Sequence, residues 1–173
     1  MKNILLIFLS ISPLLISASL LFLTDPPIWP DEGTSLYMAK TLLETGKMNA
    51  GNYGGIPDVA VGAGLGFPPV YFFILGIWAR VFGESIEAIR ALSLTIGLLS
   101  AIIFYFLANA IFTRKGSLLP FLAAFLLSTN FVFARATRFG RPEILTLLFI
   151  LLSLLLFYKS FKSPKLLLLG FLF

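Results

Sequence analysis

The sequence predicts an all-α polytopic membrane protein, and three observations carry that expectation. Of the 173 residues, 58% are apolar without counting glycine, only 12% are charged, and the charges fall between long uncharged runs. Soluble domains average about 45–50% apolar with glycine included, and about 25% charged. Intrinsic disorder, a nucleic-acid module and an ordinary soluble enzyme are therefore excluded. The pI of 9.7 rests on only 13 Lys/Arg against 8 Asp/Glu, and no basic stripe exists. Charge bias beside apolar runs is a membrane-topology signal, so membrane lipids are a partner and nucleic acid is not.

Each element follows from the order of runs and breaks. Residues 3–24 are an uncharged run long enough to span, since a bilayer core takes about 20 helical residues. Lys2 and Ser17-Ala18-Ser19 resemble a cleavable signal, but the apolar stretch continues through Leu20–Leu23, longer than a signal core. An uncleaved first helix is expected. Residues 25–90 form an outer loop with two surface helices, Gly33–Thr45 and Val70–Phe82. Asp31 or Thr34 can cap the first, Gly46 stops it, and Lys40 and Glu44 form an i,i+4 pair. The second follows Gly62, Gly64, Gly66 and Pro68-Pro69, which oppose a continuous helix, and it is too short to cross. Further spans are expected at 91–113, 116–134 and 143–158. A partial fifth at 166–173 cannot span, so residues 1–173 read as a single transmembrane domain truncated at its C-terminus, and poor or no activity is expected of this short chain alone.

If Val70–Phe82 does not cross, Lys2, Arg114, Lys115, Lys159, Lys162 and Lys165 share one side, which the positive-inside rule makes cytoplasmic. The acidic residues then lie outside or at the outer interface. A cell-membrane protein with a cytoplasmic N-terminus and an outer-face site is expected.

With neither cysteine nor histidine, there is no thiolate chemistry, and any zinc site would be built from carboxylates alone. No cofactor is implied, and metal dependence stays open. General acid–base work falls to carboxylates, Lys or Tyr. Two polar constellations exceed what spans require. In W-P-D-E, Asp31-Glu32 is either the first turn of a capped surface helix or a carboxylate pair at the mouth of the bundle. Adjacent carboxylates beside apolar walls raise at least one pKa, which suits a base. In A-R-A-T-R-F-G-R-P-E, Arg135, Arg138 and Arg141 precede Glu143 within a short turn. These arginines either snorkel to headgroups or offer planar forks to a phosphate. The glycine-rich stretch before Pro68 follows no nucleotide-phosphate motif and reads at most as a gating loop.

The series of a first span, W-P-D-E, a glycine-rich loop into P-P-x-Y-F, F-G-E-S-I-E-A-I-R-A-L-S and R-F-G-R-P-E-I-L resembles the N-terminal module of GT-C membrane glycosyltransferases. Within them it is similar to the family-39 and RgtA/B/C/D-like enzymes, related to protein O-mannosyltransferases and aminoarabinose transferases. The resemblance implies inverting transfer of a hexosyl or pentosyl group from a polyprenyl-phosphate carrier to a hydroxyl or phosphate of a lipid, glycan or protein acceptor. It implies catalytic roles for Asp31, Glu32 and Glu143. The family's arginine before an R-L-P-S-like stretch falls on Arg90. With Arg138, Arg141 and Tyr37, Arg90 makes up the expected substrate-binding set. Phe67 stands where aminoarabinose transferases carry lysine, which argues against that sugar. The rival is a non-catalytic membrane protein, a transporter fragment or assembly subunit. A transporter would carry charge within its spans, whereas the ionisable residues here gather at span ends.

Overall fold

The computed structural model describes residues 2–24, 28–48, 69–112 and 117–160. These are all-helical with no strand. In chain order the helices are α1 Lys2–Thr24, α2 Pro30–Thr45, α3 Pro69–Phe82, α4 Ile86–Ile111, α5 Leu119–Thr129, α6 Phe131–Arg138 and α7 Glu143–Ser160. The glycine-rich loop, Phe67, Asp58, Arg114-Lys115 and the 166–173 run lie outside the described residues.

Two helices, α4 and α7, are long and apolar enough to cross a membrane, and α5 with α6 makes a third if the bent pair counts as one. The described apolar stretch of α1, Ile4–Leu20, sits at the lower bound of a spanning length of about 17–25 residues. Large side chains on these helices point outward, among them Ile4, Phe8, Leu99, Phe106, Leu126, Ile150 and Phe157. That is the expected face toward lipid.

Helix α4 is the hub, packing against each of the other six. Its start is set by Ser85, whose Oγ accepts the Ala88 N–H at 3.2 Å. The helix therefore begins five residues before the expected 91, and Arg90 lies inside its second turn rather than in a flanking loop. Helix α3 lies along α2 and reaches α4, with Tyr71, Phe72 and Leu75 buried between them. The Trp78 indole N–H donates to the Ala88 carbonyl at 2.9 Å, which ties the end of α3 to the start of α4.

Three departures from the sequence expectation have local causes. Lys40 of α2 pairs at 2.9 Å with Glu84, in the turn between α3 and α4, not with Glu44. The uncharged run 116–134 is not one helix: Asn130 adopts an extended backbone, its Oδ1 accepts the Phe133 N–H at 3.0 Å, and the chain turns by 62° into α6. Asp31 is not a cap, because α2 already starts at Pro30, with Trp29 as N-cap. Proline suits that first position, where its missing N–H has no partner to lose. Gly46 ends α2 as expected, at φ 72° with its N–H on the Leu42 carbonyl at 3.0 Å.

Between helices in lipid there is little hydrophobic driving force, so close approach of small residues carries the packing. Gly97 of α4 lies against Thr137 of α6 so tightly that an added methyl would overlap the threonine methyl. Gly97→Ala should destabilise the bundle by about 1–3 kcal/mol. Thr137→Ser, which removes the opposing methyl and keeps the hydroxyl bond to Ala134, should recover part of the loss. Thermal unfolding in detergent checks this, and unchanged stability in Gly97→Ala would refute the close approach.

Candidate active site

The site is built on a buried ion pair at one end of the bundle. Glu32, the third residue of α2, turns back so that its Oε2 accepts the Trp29 backbone N–H at 2.9 Å. This is half of a capping box, and it satisfies one of the donors a helix start leaves open. The same carboxylate meets Arg90 of α4 in a bidentate fork, Nε on Oε1 and Nη2 on Oε2, both at 2.8 Å. Oε1 also accepts the Gly140 N–H at 3.4 Å. Glu32 and Arg90 are only 1% and 5% exposed. The Arg90 guanidinium further lies 5.8 Å from the Phe139 ring centre. An added methyl at Gly140 would overlap the Ile89 side chain. Glycine there lets the turn between α6 and α7 settle directly on α4.

Above this pair lies a more exposed layer. Arg141 donates through Nη2 to Glu143 Oε1 at 2.8 Å and through Nε to Oε2 at 3.3 Å, with Asp31 Oδ2 at 3.7 Å from its Nη1. Two carboxylates from distant parts of the chain thus share one guanidinium. The Glu143 hydrogen bond raises the Arg141 pKa above its ordinary value despite partial burial, and the charges of Glu143 and Asp31 add to it. Arg141 is a permanent cation. The Trp29 indole N–H donates to Asp31 Oδ2 at 2.9 Å, and the Arg135 guanidinium lies 5.5 Å from the Trp29 ring centre. Trp29, Val132, Arg135, Ala136, Phe139, Arg141 and Glu143 line a cavity of about 340 Å³. Asp31, about half exposed, stands beside it, in contact with two lining residues.

Tyr71 is fully buried in the core between α3 and the other helices. Burial pushes its phenol up, Ser93 opposes that rise, and the charges of Glu143 and Glu32 add to it. Neither the Tyr71 nor the Ser93 hydroxyl forms an aligned hydrogen bond.

The structure therefore brings together Asp31, Glu32, Arg90, Arg141 and Glu143, but in two layers. Glu32 and Arg90 are engaged with each other, and neither lines the cavity. Tyr37 is exposed on α2 and is not on the cavity wall. Arg138 is half-buried, its Nε meets no partner, and it too is off the wall. The cavity's basic residues are Arg135 and Arg141. Arg135 belongs to the arginine cluster, and the 62° turn at Asn130 into α6, which no hydropathy signal marks, decides its place on the wall. Trp29 carried a weak signal, an aromatic two residues before an acid across a proline.

Arg90→Met would leave Glu32 charged and buried without its counter-ion. It should cost about 3–5 kcal/mol, the usual penalty for breaking one side of a buried pair. Asp31→Ala, which removes only exposed contacts to Trp29 and Arg141, should cost no more than about 1 kcal/mol. Denaturant unfolding in detergent distinguishes them, and equal stabilities would refute the two-layer description.

The sequence pattern of the dolichyl-phosphate-mannose-protein mannosyltransferase family matches residues 66–173. An uncharacterized protein of Aquifex aeolicus (strain VF5) is 30% identical over 139 residues, covering 80% of this chain. The chain spans only 26% of that relative's length. No solved structure matches the chain significantly. The matched segment contains Arg90, Arg135, Arg141, Glu143 and most of the cavity wall, and on that match the chain belongs to the dolichyl-phosphate-mannose-protein mannosyltransferase family.

Proposed function

We propose that this chain carries the reacting end of an inverting glycosyltransferase, which moves a sugar from a polyprenyl-phosphate carrier to a hydroxyl or phosphate acceptor at the outer membrane face. One observation carries the reading. A solvent-accessible carboxylate, Asp31, stands beside a cavity whose wall holds two guanidinium groups, Arg135 and Arg141, and a second carboxylate, Glu143. Family membership supports the donor class, and the gathering of charge at one end of apolar helices supports a site at the membrane face.

In this mechanism Asp31 accepts the proton of the acceptor as its oxygen attacks the anomeric carbon. The bond from that carbon to the carrier phosphate breaks, and its electron pair leaves with the phosphate. Positive charge fixed where negative charge develops is usually the largest single contribution to such a step. Arg135 and Arg141 provide it. Arginine suits the task because its planar fork matches phosphate oxygens. Glu143 holds Arg141 in place through two hydrogen bonds, so it serves as an orienting residue. Glu32 and Arg90 set the geometry from below, and Arg138 and Tyr37 drop out of direct contact.

The Lys/Arg bias supports an outer location, and the contact of Asp31 with Arg141 at 3.7 Å supports a single shared site. Because the chain has no cysteine, single cysteines can be introduced without background. A membrane-impermeant thiol reagent should label positions 31 and 139 from outside, and position 115 only after permeabilisation. Labelling of 139 from the cytoplasmic side alone would overturn the orientation.

Asp31→Asn preserves shape but removes the base. Turnover of a polyprenyl-phosphate sugar should fall by about 10²–10⁴, the contribution of a positioned base. Arg135→Ala should raise KM for the donor and lower kcat, because it removes a charge that meets phosphate before and during bond cleavage. Near-parental turnover in Asp31→Asn would remove the catalytic role.

A further inference from the structure

We propose that Trp29 is a positioning residue that aims the Asp31 carboxylate and at the same time holds Arg135 against the cavity; the inference rests on the functional reading above. The indole of Trp29 is committed on two sides. Its N–H donates to Asp31 Oδ2 at 2.9 Å. Its ring carries the Arg135 guanidinium at 5.5 Å and meets the Phe139 ring at 6.2 Å. A tryptophan that only anchored the chain at the headgroup layer would need its ring there and no fixed partner for its N–H.

The backbone explains why the contact is specific. Trp29 precedes Pro30, and a residue before proline is pushed to extended geometry; Trp29 sits at φ −78°, ψ 132°. Pro30 then locks its own φ, and Asp31 falls in the first helical turn. Glu32 clamps the Trp29 N–H at 2.9 Å. The tryptophan backbone is thus held from both sides, and the side chain reaches Asp31 across two residues.

A hydrogen bond to one carboxylate oxygen fixes the rotamer of the group that is to receive a proton. A flat π-face beneath a guanidinium limits where that cation can swing. One ring therefore ties the place of the base to the place of the anion-binding charge. The distance between acceptor hydroxyl and carrier phosphate is set by the same spacing.

The test begins with a readout independent of activity. The chain has two tryptophans, and both indoles donate: Trp29 to a carboxylate, Trp78 to the Ala88 carbonyl. In detergent-solubilised protein labelled with ¹⁵N-tryptophan, Trp29→Phe assigns the two indole N–H signals. Asp31→Ala, at an exposed position, should move the Trp29 proton upfield and leave that of Trp78 in place. An unmoved Trp29 signal would overturn the contact.

Kinetics with a polyprenyl-phosphate sugar then test the role. Trp29→Phe keeps a ring for Arg135 and loses the donor, so kcat should fall about 10- to 100-fold with KM for the donor unchanged. Trp29→Leu loses both and should also raise KM. Parental kcat in Trp29→Phe would overturn the positioning role. Absence of transfer by the full-length protein would overturn the functional reading, and the kinetic role of Trp29 with it, whereas a fixed indole signal overturns the contact alone.

Discussion

The buried pair of Glu32 and Arg90 is the constraint from which the rest of the site follows. Its carboxylate accepts from the Trp29 N–H at the start of α2, from the Arg90 fork on α4 and from the Gly140 N–H between α6 and α7. One side chain thereby fixes three segments that are far apart in sequence. Two charges out of water carry a desolvation cost that their attraction offsets only with good geometry and full hydrogen bonding. Here the carboxylate is fully partnered, which is the condition for such a pair to be tolerated at all. What the pair contributes is placement: Asp31 is the neighbour of Glu32 on α2, and Arg141 is the neighbour of Gly140.

That placement separates two carboxylates that look equivalent on paper. Asp31 and Glu32 are adjacent, but successive residues of a helix point about 100° apart. One goes down to Arg90 and is sealed, and the other goes outward to Trp29 and Arg141. Their environments assign them different work, structure for the buried one and chemistry for the accessible one. Packing below the site follows the same economy of space, with Gly97 on Thr137 and Gly140 on Ile89 letting α6 and its turn lie directly on α4.

The fold class was legible because span-length apolar runs leave few alternatives. The expected spans 91–113 and 143–158 fall on α4 and α7, and Gly46 announced the end of α2. The site was legible only in outline. Asp31, Glu32, Glu143 and the arginine cluster stood out as charges that lipid does not explain, and Arg90 was marked only by the family resemblance. Their pairing was hidden, since Glu32 and Arg90 are 58 positions apart and no local pattern links them. The bend at Asn130 was hidden as well. Apolar residues continue on both sides of it, and one asparagine cap does not interrupt a hydropathy run. The bend also decides which member of the arginine cluster reaches the cavity, since the place of Arg135 on its wall depends on the direction of α6.

The most direct test of the central claim is a double-mutant cycle on the ion pair, with Glu32→Leu, Arg90→Met and the double variant compared by denaturant unfolding in detergent. If the pair is the sealed centre of the site, either single change strands a buried charge or its donors, while the double change removes both charges together. The double variant should then be more stable than the sum of the single losses implies, by about 1–3 kcal/mol. Losses that add to within about 0.5 kcal/mol, as they do for sites without shared contacts, would contradict the account.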